Sequence, residues 1–202
     1  MEENILIVCS HTNINLSAYR DYYKIGVERG CLDLLDQGLT IDYACGDFDS
    51  VTEEEYNIIK THSHEFVSFP PEKDYLDGEL AIIYAKKRNP RQIILITDGP
   101  RLDMTLASAG LVAKYNIHLQ NSKNYCQLLH QGKNIISPKI KYKYFSLISL
   151  DDALVDIEDM RYPAQNLKLT SLSTNAISNE FIPKTKGVIN VHKGNVLAIY
   201  SQ

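Results

Sequence analysis

This chain of 202 residues contains no apolar stretch that could span a membrane, since its longest apolar runs are about six residues. It also has no surplus of positive charge: 25 acidic residues outnumber 21 basic ones, giving a formal net charge of −4. Proteins that bind nucleic acid through its phosphates usually carry a basic surplus. The composition therefore argues against a membrane-spanning protein and against a nucleic-acid-binding one.

Several familiar motifs are also missing. The four cysteines form no CxxC pair, and no cysteine or histidine cluster has the spacing of a zinc site. We expect free thiols in a reducing compartment. The N-terminus lacks the basic region and long apolar core of a secretory signal, so we expect a cytoplasmic protein. There is no Walker A loop, no GxGxxG and no GxSxG, which excludes the common nucleotide-binding loops and the nucleophile elbow.

The hydrophobic pattern divides the chain into two parts. Up to about residue 122, short apolar runs alternate with segments of helical period, which is typical of crossover units around a parallel sheet. Beyond that point only short β-rich runs follow. We predict a three-layer α/β/α domain with a mainly parallel sheet over residues 1–122. A small C-terminal antiparallel β-sandwich or barrel is predicted over residues 123–202.

The last two strand-like runs, residues 188–193 and 196–201, are separated by Gly194-Asn195. This arrangement predicts a β-hairpin with a type II′ turn, which accepts glycine at its first central position. In that register Ile189 shares a core face with Ala198.

Charged side chains follow three predicted strands of the first domain, at the point where each strand ends. Because the carboxyl ends of parallel strands meet at one edge, we expect these side chains to lie close together. Clustered carboxylates repel one another unless a cation lies between them, and Mg²⁺ combines a few carboxylates with phosphate oxygens. The pattern therefore predicts magnesium-dependent phosphoryl chemistry. The side chains are Asp47 and Asp49, Asp74 and Asp77, and Arg101 with Asp103.

Spacing adds two geometric expectations. Asp47 and Asp49 are two residues apart in chain that we expect to be extended, so their carboxylates should point the same way. Asp74 and Asp77 are three apart at a predicted helix start, which predicts one shared face of the first turn. Any one of these aspartates could be a turn or cap residue, but capping does not explain three acidic loops at one edge. His11, after the first strand, is either a ligand contact or a solvated histidine.

At these residues the sequence resembles the thiamine pyrophosphokinase family over nearly its whole length. Residues 46–50 match the family's GDFDS, and residues 178–180 match its SNE. Residues 73–77 (KDYLD) resemble K/Q-D-x-T-D, with leucine in place of threonine. Residues 99–104 (GPRLDM) resemble GGRxDH but lack one glycine and the histidine. Glu28 stands where the family usually has aspartate.

The resemblance implies an enzyme that transfers the pyrophosphoryl group of ATP to the hydroxyl of thiamine, releasing AMP and forming thiamine diphosphate. It implies an ATP-binding catalytic domain, a thiamine-binding β domain, and a homodimer with its active site at the subunit interface. Asp47, Asp49 and Asp74 would hold Mg²⁺ on the phosphates. Asp77 would orient or deprotonate the thiamine hydroxyl, or contact the cationic vitamin.

The remaining roles implied by the resemblance concern the phosphates and the vitamin. Arg101 would neutralise phosphate charge as it shifts to AMP, with Lys73 as a possible helper. Asp103 would fix Arg101 or bind a metal-bound water. Ser178 and Asn179 are candidate thiamine contacts, although a plain structural turn is the alternative for this pair.

Two rival interpretations remain. Residues 47–51 (DFDSV) also fit the DxDxV opening of haloacid-dehalogenase-like phosphatases, with Asp47 as nucleophile. Thr97 and Asp151-Asp152 follow in the order of that family's later motifs. Alternatively, the altered third motif belongs to a thiamine- or nucleotide-binding sensor with weak or no catalysis.

Overall fold

The computed structural model describes residues 3–9, 11–99 and 101–202. The chain divides into two compact units: Met1–Leu111 with Ile117–Ser122, and Val112–Asn116 with Lys123–Gln202. Within the described residues, no helix is both long and apolar enough to cross a membrane.

The first unit is built on a sheet of six strands in the order β6-β5-β1-β2-β3-β4, all paired in parallel. A parallel sheet needs crossover connections, and both of its faces must be covered. The predicted mainly parallel sheet is confirmed. Its strands are β1 (Asn4–Val8), β2 (Tyr23–Val27), β3 (Ile41–Gly46), β4 (Ser63–Ser68), β5 (Gln92–Ile96) and β6 (His118–Gln120).

Helices cover both faces of this sheet. Leu6 and Val8 of β1 belong to a buried cluster that includes Leu34 and Ile59 from the helices on that face. Gly78, on another helix, approaches Cys9, which by alternation lies on the opposite face. The helices are α1 (Gly30–Asp36), α2 (Glu53–His62), α3 (Asp77–Lys86) and α4 (Leu102–Tyr115), and a 3₁₀ turn spans Leu16–Tyr19.

The start of α2 follows directly from its sequence. The Thr52 hydroxyl accepts the amide of Glu55 at 3.2 Å, and the Glu55 carboxylate accepts the amide of Thr52 at 2.8 Å. This capping box satisfies two amides that have no partner within the helix. It fixes the chain direction just after the loop that follows β3.

The second unit contains two antiparallel sheets that share one core. Inward-facing residues of both sheets, such as Phe145, Tyr200, Val155 and Ile189, form a single buried cluster. The small antiparallel β-sandwich is therefore confirmed. One sheet has the order β12-β9-β14-β7 and the other β11-β10-β13-β8. The strands are β7 (Asn124–Leu128), β8 (Gly132–Ile136), β9 (Tyr144–Ser149), β10 (Ala153–Glu158), β11 (Ala164–Leu169), β12 (Asn179–Glu180), β13 (Gly187–Lys193) and β14 (Val196–Ser201).

The predicted terminal hairpin is wrong. β13 pairs with β10 and β8, whereas β14 pairs with β7 and β9 in the other sheet. Gly194 (φ +92°) turns the corner between the sheets, and a Cβ at this position would lie 2.5 Å from Cβ of Ala153. Asp151 accepts both the backbone and side-chain N–H groups of Asn195, at 2.8 and 2.7 Å. Ile189 and Ala198 do face one core, but from opposite sheets.

Two strands of the second unit have irregular patterns. β11 contains Asn166 at φ +50°, at the point where its register with β10 shifts between Val155 and Ile157. β8 alternates in burial but not in hydrophobicity, because its buried Asn134 is polar and its exposed Ile135 is apolar. The Asn134 side chain is satisfied by the backbone of His130 in a local turn.

The topology disfavours the phosphatase alternative. That fold requires parallel strand–helix alternation as far as Asp151-Asp152. Here these residues connect β9 to β10, and both strands pair antiparallel with their neighbours in the described part of the chain.

Candidate active site

A cleft of about 480 Å³ lies within the first unit, at the carboxyl ends of its central strands. Its lining includes Cys9 after β1, Glu28 after β2, and Thr97 after β5. Asp77 at the start of α3 and Arg101 before α4 also contribute. Ligands bind at this edge in open α/β sheets, so the cleft is the candidate active site.

The loop after β3 holds Asp47 and Asp49 in a tight turn rather than in extended chain. Phe48 between them has φ +59°, and the Asp49 amide donates to Oδ1 of Asp47 at 3.4 Å. The buried Phe48 ring packs against Phe66 and Tyr56, with centroids 4.8 and 5.6 Å apart. The two carboxylates do come together as predicted, but a buried aromatic anchor achieves it.

Glu28 joins these aspartates and was not among the predicted site residues. It adopts φ +53°, and its Oε1 accepts the Phe48 amide at 2.8 Å while Oε2 accepts the Ser50 hydroxyl at 3.2 Å. Carboxylate oxygens of Glu28, Asp47 and Asp49 lie within 4.8 Å of one another. The signal that could have found Glu28 is its position directly after β2, at the same edge of the sheet.

Lys73 links two of the predicted carboxylates. Its Nζ lies 2.7 Å from Oδ2 of Asp47 and 3.2 Å from Oδ2 of Asp77, and all three side chains are largely buried. The hydrogen bond from Lys73 holds the pKa of Asp47 below its usual value. For Lys73 burial acts to lower the pKa, but its hydrogen bonds to both aspartates outweigh burial and raise it. Lys73 thus neutralises carboxylate charge in this structure.

Asp77 has a carboxylate oxygen that is available for a ligand. Its Oδ1 is buried and has no hydrogen-bond partner among the described residues. Burial raises the pKa of Asp77, with Lys73 acting in the opposite direction. Glu28 behaves similarly, since burial raises its pKa while the Phe48 amide opposes that shift. Half-buried oxygen donors of this kind fit a hard divalent cation such as Mg²⁺.

The predicted helical pairing of Asp74 with Asp77 is wrong. α3 begins at Asp77, and Leu76 before it is extended (φ −63°, ψ 148°), so Asp74 lies outside the helix and is exposed. Among the described residues, the group of carboxylates close enough together to hold a metal ion contains Glu28 but not Asp74.

Arg101 and Asp103 form an exposed pair. Arg101 donates to both carboxylate oxygens of Asp103, at 3.2 and 2.6 Å. These hydrogen bonds lower the pKa of Asp103 and raise that of Arg101. Pro100 of the same motif lies outside the described residues.

In the second unit, Ser178 and Asn179 differ in their surroundings. Ser178 is exposed with φ +61°. Asn179 is buried, and its side-chain amide accepts from the backbone N–H of Tyr162 at 3.0 Å and donates to the backbone C=O of Tyr162 at 2.9 Å. Asn179 therefore holds the Tyr162 backbone, which leaves Ser178 as the accessible member of the pair.

The first unit thus combines carboxylates, a lysine and an arginine at one edge of a parallel sheet, a set of groups suited to a protein that binds a metal ion and phosphate. Residues 16–126 match the family "Thiamin pyrophosphokinase, catalytic domain". Residues 133–196 match "Thiamin pyrophosphokinase, vitamin B1 binding domain". The chain belongs to the thiamine pyrophosphokinase family and is an enzyme of that class.

Individual relatives agree with this assignment. A thiamine pyrophosphokinase of Bacillus subtilis (strain 168) is 32% identical over 198 residues, covering 93% of this chain and 92% of the relative. The crystal structure of thiamine pyrophosphokinase from Bacillus subtilis has a TM-score of 0.89 at 31% identity, covering 99% of each chain. That of the Geobacillus thermodenitrificans thiamin pyrophosphokinase has a TM-score of 0.87 at 28% identity, covering 98% of this chain and 97% of the other.

Proposed function

We propose that this protein transfers the pyrophosphoryl group of ATP to the hydroxyl of thiamine, giving thiamine diphosphate and AMP in the presence of Mg²⁺. The observation that carries the proposal is the group of Glu28, Asp47 and Asp49 at the strand edge that also forms the cleft. Family membership supports the substrates, and the carboxylate group supports the metal.

Mg²⁺ would be held by Asp47 and Asp49, with Glu28 as a further oxygen donor. Asp74 is retained as a proposed ligand from its motif, although it is exposed and outside that group. When bound, the ion would neutralise phosphate charge and help to orient the triphosphate. Lys73 contributes a second positive charge beside Asp47 and is a candidate phosphate contact.

Phosphoryl chemistry leaves the protein mainly to position groups and to balance charge. Asp77 would orient the thiamine hydroxyl or accept its proton, because its Oδ1 is free of protein partners among the described residues and burial raises its pKa. The hydroxyl oxygen attacks the β-phosphorus and the bond to the AMP oxygen breaks. Arg101, oriented by Asp103, would balance the charge that shifts to AMP.

We further propose that residues 1–122 form the ATP-binding catalytic domain and residues 123–202 the thiamine-binding domain. Exposed Ser178 is the better candidate for a direct thiamine contact, while Asn179 would act by holding its surroundings. A cytoplasmic homodimer, in which the partner subunit completes the active site, is part of this proposal.

The deciding experiment incubates purified protein with ATP, Mg²⁺ and thiamine and quantifies AMP and thiamine diphosphate, which should form in equal amounts. Asp77→Asn should abolish most turnover with an unchanged circular dichroism spectrum. Asp36→Asn, an exposed aspartate of α1, is the matched control and should retain activity. Near-normal activity of Asp77→Asn would refute the role of Asp77.

The same assay separates the alternatives. Saturable thiamine binding without AMP formation would favour a sensor. A fluoroberyllate adduct on Asp47 would favour a phosphatase.

A further inference from the structure

The cleft contains a histidine that none of the roles above uses. His11 lines the cleft and is otherwise exposed, with 75% of its side chain accessible. Its Nδ1 lies 2.9 Å from Oδ1 of Asp33, which is buried on α1. The buried carboxylate fixes the orientation of the imidazole ring, which a freely solvated histidine would not have.

Asp33 holds this part of the chain at two points. While Oδ1 contacts His11, Oδ2 accepts the backbone amide of buried Thr12 at 3.0 Å. The close approach of α1 to β1 depends on Gly30, because a side chain there would collide with the carbonyl of Val8. The helix thus brings Asp33 beside the chain that follows β1.

The contact with Asp33 decides which ring nitrogen is available. A carboxylate oxygen only accepts, so Nδ1 of His11 donates to Asp33. No described residue is hydrogen-bonded to Nε2. Nε2 is therefore the atom that remains for a ligand in the cleft, and in its protonated form it donates to an anion.

The position of His11 along the sheet edge indicates which kind of ligand group it contacts. β1 lies between β5 and β2 in the sheet, so His11 lies between Arg101 on one side and Glu28 on the other. The carboxylates of Glu28, Asp47 and Asp49 gather beyond β2 and β3. Beyond β5 the cleft is lined by Arg101 and by Asp98, whose carboxylate accepts the amide and hydroxyl of Ser122. If the phosphates that bind the metal ion lie at the carboxylates, the remaining phosphate of the chain lies near His11 and Arg101.

We propose that His11, positioned by Asp33, contacts a phosphate group of the bound nucleotide through Nε2. The proposal deepens the proposed function and rests on it for the identity of the nucleotide. Asp33 is a positioning residue in this scheme, and His11 is the group that touches substrate.

The test compares wild type, His11→Gln and a matched control, His64→Gln. His64 is also an exposed histidine near an aspartate (Asp42, 3.6 Å), but it lies on β4 and does not line the cleft. Titration calorimetry with Mg-ATP should show about tenfold weaker binding for His11→Gln, the size expected for one charge-assisted hydrogen bond. His64→Gln should bind like wild type. In steady-state kinetics KM for ATP should rise while KM for thiamine stays within about twofold.

Asp33→Asn tests the positioning role. It should weaken Mg-ATP binding in the wild-type background but add nothing to His11→Gln, since both changes remove one interaction. Additive losses would refute the positioning role. Mg-ATP affinity of His11→Gln equal to wild type would overturn the phosphate contact and leave the proposed function intact. Wild type that binds Mg-ATP but forms no thiamine diphosphate would refute the proposed function, and the binding comparison would still decide His11.

Discussion

Replacing Gly46 by alanine should destabilise the first unit and disorganise its carboxylate group. Gly46 has φ +150°, and a Cβ built there would lie 1.8 Å from Oε1 and 2.7 Å from Cδ of Glu28. The Glu28 carboxylate fills the space that any other residue at position 46 would need. In Gly46→Ala the carboxylate must move away, and it then loses the Phe48 amide that it accepts at 2.8 Å.

Two costs add in this variant. A non-glycine residue in this backbone region costs about 1–3 kcal/mol, and losing a hydrogen bond to a charged group costs about 1.5–3 kcal/mol. We expect the free energy of unfolding to fall by about 2.5–6 kcal/mol, out of a typical 5–15 kcal/mol. Urea unfolding followed by circular dichroism measures this change.

A double-mutant cycle separates the two costs. In a Glu28→Ala background, Gly46→Ala should cost only the backbone strain, so the coupling should be about 1.5–3 kcal/mol. Gly38→Ala is the control for positive φ alone, because Gly38 has φ +67° and nothing within 4 Å of the new methyl group. Additive effects of Glu28→Ala and Gly46→Ala would refute the reasoning, as would a Gly46→Ala loss no larger than that of Gly38→Ala.

Three further predictions follow from the same geometry. Lys73→Met should lower the free energy of unfolding at pH 7 by about 2 kcal/mol, because Asp47 and Asp77 lose their partner. The pKa of Asp47 is lower in the folded than in the unfolded protein, so its ion pair stabilises the fold above the unfolded pKa and this stabilisation is lost as the pH falls. In urea unfolding, the difference in free energy of unfolding between wild type and Lys73→Met should therefore shrink below about pH 4. Mg²⁺ should raise the melting temperature of wild type but not of Asp47→Asn. Equal shifts of the melting temperature in both proteins would contradict the role of Asp47 as a metal ligand. Asn179→Ala should cost about 2 kcal/mol, since two backbone groups of Tyr162 lose their partner; an unchanged melting temperature would contradict this.

Local sequence signals account for the elements that position the site. The spacing of Thr52 and Glu55 is enough to form the capping box of α2, and the short apolar run at Tyr23–Val27 forms β2. These features depend on contacts within a few residues, where spacing alone fixes the geometry. The edge shared by Asp47, Asp77 and Arg101 also followed from sequence, since parallel strands end at one side of a sheet.

Contacts between distant residues were not predictable in the same way. Glu28 joins Asp47 only because β2 and β3 are neighbours and a glycine leaves room for its carboxylate. Asp74 does not share a helical face with Asp77 because α3 begins at Asp77 itself and Leu76 before it is extended. The first outcome depends on strand order and the second on the backbone conformation of one residue, and hydrophobic periodicity resolves neither.

The sequence alone determined the two-part organisation, the parallel α/β character of the first part and the acidic sheet edge, because hydrophobic period and strand-end motifs are local. Only the tertiary structure decided that β13 and β14 belong to different sheets. It also decided that Lys73 bridges two aspartates and that Asp33 orients His11. The contacts of Lys73 with Asp47 and of His11 with Asp33 join residues 26 and 22 positions apart at 2.7 and 2.9 Å. Distances of that kind are set by packing and register, and so is the change of sheet between β13 and β14.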